Sequence, residues 1–380
     1  MNRRERYLET ILFGAPDRVP LLPGWPRKST LEAWRRQGLP QDQRHLAALR
    51  ETLGLDEDLR AHGLPDPGAS FQMIPQFEEK ILEHRDGHYI VQDWKGNVCE
   101  ISDAFDVEYL RKGIDFVTRR WIKLPVENRE DWEAMKTRYD PADPRRYCAG
   151  FDARCQALSD RNDIVRIHVN GPFWQLREWV GAEQLCLLFL TDPEWVREMI
   201  DFWTGFVSRV LAEILRRTSI DVFSMSEDMA YKGYSFISPE MTREFLAPSY
   251  RQWIEQARAG GAQVFDMDSD GYIGDLIPVW IEAGINCCNP VEVAAGCDVV
   301  EFRRRFGRKM AYVGAMDKRL IARGGAALEN EVRRIVPAML KDGGYIPSCD
   351  HGVPPDISWP NFVAYTRLLA ELTGWLPAEG

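Results

Sequence analysis

From Asp163 to the end of the chain, short apolar segments alternate with helix-forming stretches six times over. The segments are 164–169, 221–225, 263–267, 285–288, 310–313 and 345–347. We read each as a strand that is apolar on both faces. Such a strand must be covered on both sides, which calls for a parallel sheet with crossover helices. The intervening helices are punctuated as helices should be. Their spans are 174–190, 193–217, 239–259, 273–283, 299–306, 327–341 and 361–372. Ser238-Pro239-Glu240 opens one, and Gly260-Gly261, Gly284, Gly307 and Gly343-Gly344 stop others.

The first 160 residues are less regular. Residues 1–13 read as a helix broken by Gly14-Ala15-Pro16-Asp17. Residues 19–22 are a short strand ending at Gly24-Trp25-Pro26-Arg27, and 30–37 and 41–60 read as helical. Alternation over 88–94 and 98–101, across Lys95-Gly96-Asn97, predicts a hairpin. Residues 121–124 are another short strand, and 140–146 a proline-broken loop. Adding the 19–22 strand and one strand from 62–160 to the six makes eight. The expected fold is an α/β (β/α)8 TIM barrel with an N-terminal helical and hairpin embellishment, in one domain over 1–380. Residues 62–160 are an irregular insertion within it. A doubly wound open sheet is the alternative, but no Gly-x-Gly-x-x-Gly follows any strand, which weakens a dinucleotide-binding version.

Composition excludes several classes. Lys and Arg number 48 against 58 Asp and Glu, a net charge of −10. A general nucleic-acid binder needs a basic face instead. No apolar run approaches the ~18 residues of a membrane span. The start, MNRRERYLET, has no apolar signal core. Eight cysteines without a Cys-x-x-Cys pair describe neither a disulfide framework nor a zinc ribbon, so we expect a cytoplasmic chain.

In barrels the active site forms at the carboxyl ends of the strands. Those ends carry His168, Glu227, Asp228, Asp268, Asp270, Asn289, Asp317 and His351. Any one of them taken alone is better explained as a cap for the next helix or a solvated group. As a set they are harder to dismiss, since two of only six histidines are among them. In Asp268-Ser269-Asp270, residues two apart on an extended segment face the same side. Two adjacent carboxylates call for a cation or a shared proton. With His351 and Glu227 they compose a donor set for a divalent metal, zinc included, or else a hydrogen-bonded acidic cluster. Glu227-Asp228-Met229-Ala230-Tyr231-Lys232 places acids, a phenol and an amine within six residues. Glu227, Asp228, Tyr231 and Lys232 are therefore catalytic candidates, against the alternative of a solvated loop. Trp25 with Arg27, His168, Phe173 with Trp174, and Asn289 are candidate substrate contacts. For most of the thirteen tryptophans core packing is the simpler explanation.

The order of motifs resembles the uroporphyrinogen decarboxylase superfamily, which also holds cobalamin-linked methyltransferases. The similar stretches begin with Asn2-Arg3-Arg4-Glu5-Arg6 and Pro16-Asp17-Arg18-Val19-Pro20. They continue through Gly171-Pro172-Phe173, Ser238-Pro239-Glu240-Met241, Asp268-Ser269-Asp270-Gly271, Glu282-Ala283-Gly284 and Asn289-Pro290. Phe306-Gly307, Gly314-Ala315-Met316-Asp317, Gly343-Gly344-Tyr345 and His351-Gly352-Val353-Pro354-Pro355 complete the series. The resemblance implies a (β/α)8 barrel. True decarboxylases of the family carry Met-Arg-Gln-Ala-Gly-Arg after the first strand, where this chain has Pro23-Gly24-Trp25-Pro26-Arg27-Lys28. The methyltransferases bind zinc through His-x-Cys and a later Cys, and the matching positions here are Asp268, Asp270 and His351. Oxygen and nitrogen donors suit a metal that polarises a methyl ether or amine rather than a thiolate. The corrinoid motif Asp-x-His-x-x-Gly is absent, so the resemblance implies a corrinoid carried by a partner protein. The expected function is methyl transfer from a small methoxylated or N-methylated substrate to that corrinoid. The alternatives are a cofactor-free decarboxylase and a non-catalytic binding barrel. No nucleic acid or membrane is expected as a partner, and a homodimer is left open.

Overall fold

The computed structural model describes residues 1–57, 59, 65–113 and 115–377. Residues 58 and 60 of the 41–60 helical expectation, and 62–64 and 114 of the insertion, lie outside the described residues; the helix found in the first span is His45–Leu53, ended by Gly54. Six strands form one parallel sheet: β5 (Arg166–Asn170), β6 (Val222–Ser226), β9 (Val264–Asp268), β10 (Cys287–Asn289), β11 (Ala311–Met316) and β12 (Tyr345–Cys349). Their order is β12-β11-β10-β9-β6-β5, so each strand lies beside its neighbour in sequence. Helices cover the outside, and the result is an α/β TIM-barrel-like fold. These are the six strands expected from the apolar segments, and the helix Val299–Phe306 falls where its pattern placed it.

Residues 19–26 run alongside β12 without forming a regular strand. The Cys349 N–H donates to the Pro23 carbonyl at 3.1 Å, and the Val353 N–H to the Trp25 carbonyl at 2.6 Å. A strand from 62–160 was expected to complete the barrel, and among the described residues none does. Four strands of that region instead make a separate antiparallel sheet: β1 (Lys80–Arg85), β2 (His88–Gln92), β3 (Val98–Ser102) and β4 (Arg120–Lys123). The reason is hydropathy. Every residue of β1 and β4 is exposed, whereas a barrel strand must bury both faces. The predicted hairpin is β2–β3, with Gln92 opposite Val98. Its turn is held by Asp93 Oδ1, which accepts the N–H groups of Lys95 and Asn97.

The helix expected over 174–190 is two helices, Pro172–Val180 and Ala182–Thr191. They part at Gly181, where φ is +84° and the Leu124 side chain occupies the space a Cβ would need. A last short hairpin, β7 (Ala230–Tyr231) with β8 (Tyr234–Ser235), follows β6. Trp34, Trp132, Trp179, Trp203, Trp253 and Trp280 are fully buried, so core packing does account for a large share of the tryptophans. Among the described residues no helix is long and apolar enough to cross a membrane.

The barrel interior has two layers. At its amino end Ile164, Val222, Val264, Cys287, Ala311 and Ile346 pack together under Tyr7 and Ile11 of the helix Arg3–Ile11. Two and four residues further along β6 and β9, the same inward face carries Ser224, Ser226, Asp266 and Asp268.

Candidate active site

A cavity of about 740 Å³ opens at the carboxyl ends of the strands. Trp25, Trp174, Asp228, Asp268, Asp270, Asn289 and His351 line this end. It continues between the 19–26 segment and β5, past Arg166 and Tyr7, to Arg3 and Arg6.

Asp268 ends β9 and lies in register with Ser226 and Asn289 on the neighbouring strands. The Ser226 hydroxyl lies in hydrogen-bond contact with its Oδ2 at 2.7 Å. Burial raises the Asp268 carboxyl to about 7, and the charges of Asp228, Asp270 and Asp266 push the same way. A group of that kind is a protonated acid that exchanges its proton near neutral pH.

Asp228 reaches the cavity through a φ of +39°, a left-handed conformation that aspartate tolerates better than most residues. Arg177 fixes it, with Nη1 donating to the Asp228 carbonyl at 2.9 Å and Nη2 lying 3.6 Å from Oδ2. The Asp270 N–H donates to Asp228 Oδ1 at 3.2 Å. Burial, then the Asp270 charge, raise the Asp228 carboxyl. Asp270 in turn meets His351, whose Nε2 is 3.0 Å from Oδ2. That carboxylate raises the imidazole above its usual value. His351 Nδ1 accepts the Gly352 N–H at 2.7 Å, and Arg27 Nη2 stands 3.5 Å from it.

Glu227, one residue from Asp228, points the other way and is fully buried. Its Oε2 accepts the Trp174 N–H at 2.8 Å, and the Phe173 N–H and the Tyr250 hydroxyl also bond to its carboxyl. It thereby caps the helix Pro172–Val180 from a distant loop. Gly171 is glycine because the Glu227 carboxyl fills the place of its Cβ. Burial raises Glu227 to about 8.

The other expected site residues divide between the cavity and its surroundings. Phe173 was expected to wall the pocket but is a core residue, stacked on Phe189 and Phe236. Tyr231 and Lys232 were expected to be catalytic. They sit at the exposed tip of the β7–β8 hairpin, outside the cavity lining. Arg27 lies against His351 and 5.6 Å from the Phe116 ring centre rather than in the lining. Asp317 is a cap: its Oδ1 accepts the Arg319 N–H at the start of the helix Lys318–Arg323. His168 lies inside the barrel between two serine hydroxyls. Asn289 turns its amide to Asp266, 3.0 Å from both carboxylate oxygens. Trp174 lines the cavity with the Arg177 guanidinium over its ring.

Asp268, Asp270 and His351 share the cavity without forming the metal centre expected of them. Both nitrogens of His351 are engaged, Nε2 by Asp270 and Nδ1 by Gly352, and Asp268 is bonded to Ser226. Among the described residues no three His, Cys, Asp or Glu side chains are grouped to hold a metal ion. Cys349 also lines the cavity, its thiol raised to about 12 by burial. This donor set does not fit the divalent ion that the resemblance implies. Sequence reasoning missed Ser224, Ser226, Asp266, Arg177 and Tyr250. A Ser-x-Ser and an Asp-x-Asp at alternate positions of apolar strands were the signal for three of them, Ser224, Ser226 and Asp266.

Residues 122–372, well over half of the chain, match the uroporphyrinogen decarboxylase (URO-D) family. The chain belongs to this family. Curated members match over shorter stretches. The uroporphyrinogen decarboxylase of Edwardsiella ictaluri is 33% identical over 79 residues, 20% of this chain and 22% of that protein. That of Magnetococcus marinus is 29% identical over 134 residues, 33% of this chain and 37% of that protein. The chain therefore matches well under two thirds of their length. A methyltransferase from Methanosarcina mazei has the same fold, with a TM-score of 0.60 at 14% identity, covering 98% of this chain and 99% of that one.

Proposed function

We propose that this member of the URO-D family is a demethylating methyltransferase. It moves the methyl group of a methoxylated small molecule to a corrinoid presented by a partner protein. Asp268 is the general acid. The observation that carries this reading is a carboxyl raised to about 7 at a strand's carboxyl end, inside a cavity of small-molecule size. In the reaction the O–CH3 bond breaks and the methyl group passes to the nucleophilic acceptor. The bonding pair stays on oxygen, and the oxygen takes the Asp268 proton. Without that proton the leaving group is an alkoxide or phenoxide, and general acids typically contribute 10²–10⁴-fold to such steps. Trp25 and Trp174 wall the substrate, and the dyad Asp270–His351 stands at the mouth. Tyr231, Tyr234 and Phe236, exposed on and beside the β7–β8 hairpin, offer an aromatic rim for the partner.

The curated relatives favour a second reading, decarboxylation of an acidic substrate. The charge of the mouth argues against it. Three carboxyl groups, Asp228, Asp268 and Asp270, line it, while the arginines of the lining, Arg3, Arg6 and Arg166, lie toward the other end of the cavity. Lys28, which ends the segment standing where the family's decarboxylases carry Met-Arg-Gln-Ala-Gly-Arg, bonds to the Tyr109 hydroxyl. The test is to supply cob(I)alamin with methoxylated aromatic compounds and to follow formation of the methylated corrinoid by absorbance. Methylation is expected. Failure on a broad panel of donors, or release of carbon dioxide from acidic substrates, overturns the proposal.

A further inference from the structure

Five side chains inside the barrel form one chain of hydrogen bonds. Asp268 Oδ2 meets Ser226 Oγ at 2.7 Å, and Ser226 Oγ meets His168 Nε2 at 3.3 Å. On the other side of the ring, His168 Nδ1 meets Ser224 Oγ at 3.4 Å, and Ser224 Oγ meets Asp266 Oδ2 at 3.0 Å. The four contacts span three adjacent strands, β5, β6 and β9, whose register sets His168 beside Ser224 and Ser226 beside Asp268. Each contact needs one hydrogen.

Asp266 fixes the direction at its end. Its oxygens already accept the Asn289 amide, so the Ser224 hydroxyl donates to it and Ser224 oxygen accepts from His168 Nδ1–H. Two arrangements then satisfy the remaining contacts. In the first, Asp268 is protonated and donates to Ser226, which donates to a bare Nε2 of neutral His168. In the second, imidazolium Nε2–H donates to Ser226, which donates to the Asp268 carboxylate. Both hold the same number of protons. They differ only by moving two hydrogens across one contact each.

We propose that Ser226, His168 and Ser224 are a proton relay that recharges Asp268 from inside the barrel. This rests on the reading of Asp268 as general acid. When Asp268 gives its proton to the leaving oxygen, the chain is one proton short. A water-borne proton taken up at His168 restores it. The ring moves its Nε2 proton to Ser226 as Ser226 passes its own to the Asp268 carboxylate. His168 is reachable by solvent although protein surrounds it. Burial and the Arg166 charge on its own strand lower its pKa, while Asp266, two strands along the sheet, raises it. Asp228, Asp270 and Asp266 act on the other end, and all raise Asp268. These neighbours favour the first arrangement at rest.

His168, Ser226 and Ser224 are positioning residues, and the test reads their protons directly. Imidazole nitrogen-15 spectra of the full chain are followed against pH in the wild type, Ser226→Ala, Ser226→Thr and Asp268→Asn. In the wild type His168 is expected neutral with hydrogen on Nδ1, and its signals are expected to move as Asp268 titrates. Asp268→Asn retains that tautomer, because the carboxamide donates to Ser226 as the acid does. Ser226→Ala uncouples the two titrations, and Ser226→Thr restores the coupling. Hydrogen on Nε2 of a neutral ring, or coupling that survives in Ser226→Ala, overturns the relay. Circular dichroism establishes that each variant is folded. Coupled titration without turnover on any methoxylated donor would retain the relay and overturn the proposed reaction. Turnover with uncoupled titration would do the reverse.

Discussion

The two layers of the barrel interior are built on the same strands and obey opposite rules. At the amino end Val222, Val264, Cys287, Ala311 and Ile346 are apolar and wholly buried. Two residues along, β6 and β9 turn Ser224 and Asp266 inward, and two further Ser226 and Asp268. Burying such polar groups is costly unless each is bonded. Here each is, and the cost is held to one end of the cavity. The difference separates the tasks within single strands five residues long. The first position contributes to stability, and the last is the one to which the proposed reaction assigns chemistry. Of the five non-glycine residues at positive φ among those described, Asp228, Val291 and Ala315 lie at the carboxyl side of β6, β10 and β11, and Phe13 and Asp86 lie elsewhere.

The comparison breaks most plainly at Asp268. Asp268→Asn keeps the shape and the bond to Ser226 but has no acidic proton to give. Turnover is expected to fall roughly 10²–10⁴-fold, with KM and thermal stability near the wild-type values. Steady-state kinetics with a methoxylated donor checks the first, and calorimetry the second. Ile346→Ala, in the lower layer, should do the opposite. Ile346 is completely buried, so its truncation is expected to cost about 2–5 kcal/mol in denaturant unfolding. The rate per folded molecule should be unchanged. A variant of either layer that changed both quantities would erase the division of labour.

How legible this was depends on the length scale. The six barrel strands were readable because continuous apolar runs bounded by glycine and proline leave few other folds. The antiparallel sheet was harder, since exposed strands such as Lys80–Arg85 carry no burial pattern to read. In the site, strand-end carboxylates were found by position, but orientation was not. Glu227 and Asp228 are neighbours, and a single positive φ sends one into the cavity while the other caps a helix. Phe173 and Trp174 divide in the same manner between core and cavity. Reading 221–225 as uniformly apolar hid Ser224. Hydrogen bonds such as Ser226 to Asp268 join residues 42 apart in the chain, and no local pattern announces them.

Glu227 sharpens the comparison by pH. Its folded carboxyl is raised to about 8, against roughly 4.3 in an unfolded chain. Between those values the folded protein holds a proton that the unfolded chain has lost. Stability contributed by this group is therefore full in acid and declines as pH rises through the window. Glu227→Gln keeps a neutral cap and should remove that part of the slope. Chemical unfolding of both proteins at about pH 5 and about pH 8 measures it. A slope unchanged by the substitution would mean that Glu227 is ionised in the fold.

The smallest effect belongs to the half-exposed pair at the mouth. Asp270 raises the His351 imidazole, so the folded state gains from protonating it. That gain is present below the ordinary histidine value of about 6.5 and is lost as pH rises through the higher folded value. Water screens both partners, so the pair contributes less than about 1 kcal/mol. Asp270→Asn is expected to lower the His351 titration midpoint, read by NMR, and to leave the stability near pH 8 within measurement error. A fall in the midpoint accompanied by a large loss of stability at alkaline pH would show that Asp270 supports the loop structurally, through contacts that do not depend on charge. The mouth would then share the role of the apolar layer below it.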